Sequence, residues 1–488
     1  MKETSLRIRA INRGAVNREG DYVLYWMIAF RRARFNLALQ RAAEWARELG
    51  RPLVILEPLR CDYPWASDRL HRFVLHGMAD NRRRFADTDA TYHPYVEDRP
   101  GAGKGLLHTY AENACVVVTD DFPTFFLPHM VRAAGRQLEQ RLEAVDGNGL
   151  LPMAAADREY PTAYAFRRFL QKTLPDHFDD MPLEDPLAEA LPQAAQLPSS
   201  LTQRWPAAPD ALLNASPSAL AKLPIDHSVG PAALEGGSVA GERRLTQFLD
   251  ERLGRYTEDR NRPEEDGASG LSPYLHFGHV SSHQIFLELM ARQRWSQEDL
   301  SPRTDGRRSG WWGVSEAAEA FLDQVVTWRE VGFNLCHFRP DHESYAAVPE
   351  WARKTLDEHA GDPRENIYSQ QQLAEARTHD PLWNAAQRQL VLEGRVHNYL
   401  RMLWGKKILE WQASPEQALA TMFELNNRYA ADGRDPNSAS GILWILGRFD
   451  RAWGPERPIF GKVRYMSSDN TARKLPVRGY LERYGSWT

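Results

Sequence analysis

The stretch from Trp383 to Arg464, with the few residues that lead into it, constrains the fold more than the rest of the chain. It opens as HDPLWNAAQRQLVLEG, continues as RVHNYLRMLWGKKILEW, and goes on through LNNRYAADGRDPN to ILWILGRFDRAW. The first two pieces read as consecutive helices. Asp380 can cap the first, Pro381 suits its opening turn, and Gly394 is a natural stop. Along the second, Trp404 and Trp411 stand seven residues apart, two turns along one face. Tryptophan usually marks a core edge or an interface. In line with Trp383 on the preceding helix, the pair suggests stacked indoles. Taken alone, that pattern is core packing before it is electronic machinery.

The chain has 488 residues, enough for two domains with full cores. A net charge of −4 carries no global nucleic-acid signature, so a DNA site has to be a local basic face. Cys61, Cys115 and Cys336 lie far apart without metal-ligand spacing, which fits a reducing, cytoplasmic setting without disulfides. No signal peptide and no run of about eighteen apolar residues is present, so a soluble protein with no membrane partner is expected. Fifteen tryptophans are many for this length, and most lie beyond position 290. That concentration is the one compositional hint of chemistry. No acid–base pair, nucleophile triad or metal site stands out beside it.

YVLYWM (22–27) is an apolar run of strand length, followed by a helical stretch from Arg31 to Leu49. RPLVILEPL (51–59), CVVVTDD (115–121) and LEAVDGNGLLP (142–152) read as further strands. Helical segments alternate with them, as a parallel, doubly wound sheet requires. An α/β, Rossmann-like domain over 1–181 is therefore expected. Asp120 and Asp121 end a strand where such sheets bind ligands. There is no GxGxxG fingerprint for an ordinary dinucleotide site, and GAGKG (101–105) lacks the Walker spacing and reads as a loop. Arg31, Arg32 and Arg34, and Arg82, Arg83 and Arg84, form clusters that could touch phosphate. A solvated helix face is the plainer reading.

Prolines recur from Pro182 to Gly237 amid Ala, Ser and Leu, which predicts a linker over 182–237 with one short helix. The second domain, 238–488, reads as almost entirely helical, beginning with ERRLTQFLDERLGRY (242–256). EDRNRPEEDGASGLSPYLHFGHVSSHQIF follows. Ser269, Gly270, Leu271 and Ser272 precede a helix whose free N–H groups would favour an anion. By itself SGLSP is a capped helix start and a weak phosphate signal.

Tyr256, DRN (259–261), LSPYLHFG (271–278), LNNRY and DGRDPN stand in register with one another in a way that resembles class II cyclobutane pyrimidine dimer photolyases. These are flavin enzymes of the cryptochrome/photolyase family that repair DNA with light. The resemblance is specific through about 240–470 and looser through 20–180. It implies an antenna-type α/β domain followed by an all-helical FAD-binding domain. It also implies that Tyr256 and the Ser269–Ser272 turn hold the FAD pyrophosphate. Asn384 and Arg401 would line the flavin, and Asp432 and Asp435 would lie near the isoalloxazine and ribose. Asn426 would stand beside flavin N5, where an amide can donate or accept; a structural cap is its plainer alternative. Trp404, Trp383 and Trp411 match the electron relay, with Trp404 nearest the flavin, Trp383 carrying the hole outward and Trp411 alongside. The cofactor does the chemistry in such a scheme. Trp328, Met402, Trp444, Arg451 and Trp453 match lesion-contacting positions, and aromatic walls suit a flipped dimer.

Two substrate-binding positions depart from that pattern. Gln284 stands where the family has arginine, and Gln324 where it has glutamate. Losing one positive and one negative group leaves a neutral site that can still hydrogen-bond. FRRARF (30–35) replaces an RDQR-like run, and GRFDRAW (447–453) is one residue shorter. These differences bear on the substrate more than on the cofactor. The expected function is light-driven splitting of cyclobutane pyrimidine dimers in UV-damaged DNA, by electron transfer from excited FADH−, in a monomeric cytoplasmic enzyme. Competing readings are a cryptochrome-like photoreceptor, a photolyase-like protein of altered lesion specificity, and a helical nucleic-acid-binding protein with a vestigial flavin. The first domain leaves open a second antenna chromophore, either a deazaflavin or a folate, or none.

Overall fold

The computed structural model describes residues 5–487. The chain forms two compact units, each assembled from three stretches. One takes Met1–Asp157, Thr173–Gln247 and Gly270–Arg294, and the other Arg158–Lys172, Phe248–Ser269 and Trp295–Thr488.

The first unit is α/β. Its strands are β1 (Ile8–Ala10), β2 (Tyr22–Trp26), β3 (Leu53–Leu59), β4 (Thr91–Val96), β5 (Ala114–Asp120) and β6 (Leu142–Val145), in the order β1-β6-β5-β2-β3-β4. All pairings are parallel except β1 with β6. β2 and β5 are buried along their whole length, as central strands covered on both faces must be. β4 is an edge strand, where the missing N–H of Pro94 is tolerated. That proline hid the strand from sequence reading.

Asp120 corrects an expectation. Its Oδ2 accepts the main-chain N–H groups of Ile28, Ala29 and Phe30 at 2.8, 2.6 and 2.9 Å, and Oδ1 accepts the Tyr25 hydroxyl. The carboxylate fastens the turn after β2 instead of facing a ligand. This holds 28–30 out of helical conformation, so the helix expected from Arg31 starts only at α1 (Leu37–Leu49) under an Asn36 cap. Asp121 pairs with Arg9. β6 stops at Val145, well short of the expected 152, because Asp146 turns the chain by accepting the N–H groups of Asn148 and Met153.

The two arginine clusters differ: Arg31 and Arg32 are buried and bonded within this unit, whereas Arg83 and Arg84 stand on an exposed helix face, as expected, and pair there with acidic neighbours. Arg31 pairs with Glu57 at 2.9 Å, Arg32 donates to the carbonyls of Phe35 and Gly278, and Arg34 meets Glu184 and Glu242. Arg82, Arg83 and Arg84, on α2 (Asp68–Ala86), pair with Asp210, Asp80 and Asp185. The stretch expected as a linker is packed. It carries three short helices, Ser199–Arg204, Asp210–Leu213 and Pro217–Leu220, and buries Trp205, Leu213 and Leu220 in hydrophobic clusters.

The second unit is helical. Its elements around the site are α3 (Arg329–Phe338), α4 (Pro381–Glu393), α5 (Asn398–Trp411), α6 (Pro415–Tyr429) and α7 (Pro436–Ile445). Two stretches, Phe248–Arg252 and Asp323–Trp328, are π-helical, a form common at functional sites. α3 packs on α7, α4 on α5, α5 on α6, and α6 on α7. Asp380 caps α4 by accepting the N–H groups of Leu382 and Trp383, and Gly394 ends it with φ +70°, as the sequence predicted. A Cβ at Gly405 would lie 2.1 Å from Ile445 Cδ1, so glycine is what lets α5 and α7 meet there.

Candidate functional site

Trp383, Trp404 and Trp411 are all buried in the helical unit. Trp383 and Trp411 meet edge to face, with centroids 5.4 Å apart and planes at 71°. The expected stacking is therefore replaced by the T-shaped geometry that the ring quadrupole favours. Trp383 donates its indole N–H to the main-chain carbonyl of Trp404 at 2.9 Å. Trp404 donates its own to Gln387 Oε1 at 2.8 Å. Beyond Trp411 stand the half-buried Tyr368 and the exposed His379, each with its ring edge-on to Trp411, and the Tyr368 hydroxyl lies 2.7 Å from His379 Nδ1. The aromatic train thus runs from the buried α5 to the surface.

One helical turn before Trp404, Arg401 faces Asp432 at 3.6 Å. Asp432 opens the DGRDPN segment, whose form depends on Arg434. That residue sits at φ +65°, a region bulky side chains seldom occupy. It is held there by bonds from its N–H and guanidinium to Asn427 Oδ1 and the carbonyls of Asn427 and Ala431. Asp435 caps α7 by accepting the N–H and the side-chain amide of Asn437. Asn426 is buried on α6, and its amide donates to Asn427 Oδ1 at 3.3 Å. Asp432 Oδ1 and Asn427 Nδ2 are buried without a hydrogen-bond partner among the described residues. Asn384 holds Thr378 through three hydrogen bonds, which leaves its amide one free donor.

Tyr256 is buried edge-on to Phe248 and Phe321, with the Arg260 guanidinium 5.3 Å over its ring. Burial pushes its phenol above the ordinary range. Ser269 belongs to the same unit, whereas Gly270, Leu271 and Ser272 belong to the α/β unit. The helix after the SGLS turn has only five residues, Ser272–His276, so its dipole is weak. The positive charge at that turn comes instead from Arg244. A Cβ on Gly270 (φ +70°) would lie 2.9 Å from its guanidinium nitrogens.

Trp328 closes the π-helical turn and stacks on Trp444 of α7, with Gln324 on the same turn. Met402 is half-buried on α5. Trp453 is 38% exposed, with two guanidinium groups over its ring, Arg451 at 5.0 Å and Arg464 at 4.5 Å. Asp450 ties this group together by pairing with Arg464 at 3.1 Å and accepting the Trp453 indole N–H at 3.2 Å. Gln284 lies in the other unit, where its amide donates to Glu288 at 3.0 Å.

No family model matches the chain. It is 35% identical over 480 residues to a deoxyribodipyrimidine photo-lyase of Methanothermobacter thermautotrophicus, covering 98% of this chain and 97% of that one. The deoxyribodipyrimidine photo-lyase of Oryza sativa is 35% identical over 97% of this chain and 89% of its own, and that of Arabidopsis thaliana 34% over 97% and 92%. The chain belongs to the deoxyribodipyrimidine photo-lyase family. It is an enzyme of that type, a DNA-repair flavoprotein. Among solved structures, a bacterial class III photolyase from Agrobacterium tumefaciens matches with TM-score 0.67 at 17% identity, covering 95% of this chain and 86% of that one. An archaeal photolyase from Sulfolobus tokodaii, described with two FAD molecules, matches with TM-score 0.61 at 15% identity over 94% and 90%. At such identities the likeness carries the photolyase fold and not the class.

Two residues of this candidate site escaped sequence reading: Gln387 and Arg434. Gln387 had a local signal, because it stands four residues after Trp383 and so shares its helix face. Arg434 is recognisable only from the groups it meets in space. Among the described residues, no helix is long and apolar enough to cross a membrane.

Proposed function

We propose that the chain is a class II-type photolyase that splits cyclobutane pyrimidine dimers in UV-damaged DNA under blue light, with FAD as cofactor. The observation that carries this reading is the Arg401–Asp432 pair one turn from Trp404. It brings the polar 426–437 segment to the inner end of a buried train of indoles.

The donor set fits the cofactor. Among the described residues, Asp432 Oδ1 is a buried acceptor that has the Arg401 ion pair but no hydrogen bond, and Asn427 Nδ2 is a buried donor without a hydrogen-bond partner. A flavin nucleotide offers hydroxyl and ring N–H donors to the first and carbonyl oxygens to the second. Each such group left unmatched costs about 1–3 kcal/mol. Asn426 would stand at flavin N5 and serve either protonation state of that nitrogen. Tyr256 and Ser269 would hold the pyrophosphate. Bound and reduced, FAD supplies the electron that opens the cyclobutane ring and takes it back afterwards.

The remaining work falls to side chains of this chain. Trp404, Trp383 and Trp411 would conduct electrons inward from the surface. Trp453, flanked by Arg451 and Arg464, presents a π face and positive charge to a nucleic-acid backbone. Trp328 and Trp444 form a wall for flipped bases, with Met402 beside the relay on α5. Purified protein given dimer-containing DNA should restore the pyrimidines in blue light and not in the dark. Equal turnover in both, or none in either with flavin bound, sinks the proposal. Light-driven flavin reduction without repair would instead favour a photoreceptor. The absorption spectrum of the same preparation shows either flavin alone or an added near-UV band from a deazaflavin or folate.

A further inference from the structure

We propose that Gln387 is a positioning residue of the electron relay: its neutral amide oxygen fixes the Trp404 indole and keeps the indole proton on Nε1 while Trp404 is oxidised. The inference rests on the relay reading given above. Trp383 and Gln387, one turn apart on α4, grip residue 404 at two points. Trp383 donates to its main-chain carbonyl at 2.9 Å, and Gln387 accepts its indole N–H at 2.8 Å. An indole nitrogen only donates, so the amide oxygen must face it. The Gln387 amide nitrogen reaches back to the Ala374 carbonyl at 3.4 Å, which holds that orientation. Gln387 and Trp383 are fully buried and Trp404 is 2% exposed.

The chemistry follows from what the acceptors are. One electron leaves the Trp404 indole for the oxidised, light-excited flavin, so the indole is oxidised and the flavin reduced. The N–H of an indole cation radical is far more acidic than that of indole. An amide oxygen is too weak a base to take its proton, and so is the main-chain carbonyl that receives the Trp383 N–H. The proton stays, and one electron from Trp383 restores Trp404 intact. A carboxylate at 387 would take the proton, leaving a neutral radical that is harder to reduce, and the hole would be stranded. Glutamate has the same shape as glutamine, so this position discriminates by basicity and not by size.

The test uses the flavin-loaded full chain. After a flash, the wild type should show the protonated tryptophan cation radical, with a photoreduction yield flat across neutral pH. Gln387→Glu should show the neutral radical, with a yield lowered roughly tenfold, the scale of one charge-assisted hydrogen bond. Its yield should recover toward wild type at lower pH, where the carboxyl is protonated and no longer a base. In the dark, the Trp404 indole N–H resonance of Gln387→Met should move upfield, because its acceptor is gone. Should Gln387→Glu not fold, the Gln387→Met resonance decides. A wild-type cation radical with a flat pH profile in Gln387→Glu, or an unshifted resonance in Gln387→Met, overturns the role. Trp404→Phe separates the two levels. If it photoreduces like wild type, the relay reading itself has failed; if it is blocked while Gln387→Glu behaves as wild type, only the role of Gln387 has.

Discussion

Trp328 and Trp444 lie face to face, with ring centroids 4.7 Å apart and planes within 14° of parallel. One comes from the π-helical turn and the other from α7, and both are half-buried. Rings already in contact leave no slot for a base between them. In the proposed site a flipped pyrimidine would stack on an outer face, with the pair as a wall. Trp444→Ala should weaken binding of dimer-containing DNA roughly five- to a hundredfold, since base–aromatic stacking contributes about 1–3 kcal/mol per base. Undamaged DNA, bound through phosphates, should lose little. Both affinities are measured in the dark at one salt concentration. Equal losses on both DNAs would remove the pair from lesion recognition.

The proposed relay gives the Trp404 indole a second duty beside its hydrogen bond to Gln387. Trp404→Phe keeps an aromatic ring but removes the N–H that Gln387 accepts. A buried acceptor left unmatched costs about 1–3 kcal/mol, so the melting temperature should fall by a few degrees while flavin stays bound. Blue-light reduction of that flavin with added thiol should stop. Reduction at the wild-type rate would exclude Trp404 from the relay.

What the sequence made legible, and what it did not, divides by distance along the chain. The α4 boundaries could be read because a cap and a left-handed glycine act within a few residues. The spacing of Trp404 and Trp411 placed both on a buried face, yet could not say that Trp383 meets Trp411 by its edge. That is decided by how two helices rotate against each other. The false helix start at Arg31 has the same origin: Asp120, about ninety residues away, claims the amides of 28–30. The proposed relay and flavin positions rest on their flanking motifs. Gln387 carries no motif, since its importance lies wholly in which indole it faces.

Lys406 gives the unit a pH dependence. It is buried on α5, its ammonium donates to the Ile445 carbonyl, and burial lowers its pKa to about 7. The Asp450 carboxylate partly offsets that fall and Arg464 adds to it. Between about pH 7 and the unfolded value near 10.5, the unfolded chain holds a proton that the folded one lacks, so stability rises with pH across that window. The slope from this one group approaches about 1.4 kcal/mol per pH unit. Lys406→Met should be more stable than wild type below neutrality and lose that advantage toward pH 10. Parallel unfolding curves for the two proteins from pH 6 to 10 would contradict the burial of a titrating amine.

Gln284 is one of the two proposed substrate positions that depart from the family pattern the resemblance implies, and its surroundings predict what an arginine there would do. The amide donates to Glu288 one turn later, while its own oxygen is buried without a hydrogen-bond partner among the described residues. Glu288 also receives Arg292 at 3.4 Å. An arginine at 284 would therefore find a counter-ion on its own helix, and the protein should fold without an unpaired buried charge. The same carboxylate would compete with DNA phosphate for the new guanidinium. Gln284→Arg alone should raise DNA affinity less than tenfold. Combined with Glu288→Gln, it should gain roughly ten- to a hundredfold, the range of a charge-assisted contact of about 1.5–3 kcal/mol. The salt dependence is the sharper readout, because each added phosphate contact steepens the logarithmic slope by about 0.9. A slope unchanged from wild type in the double variant would mean that position 284 does not face the backbone of bound DNA. The substrate difference would then have to lie elsewhere, with Gln324 on the π-helical turn as the next residue to exchange.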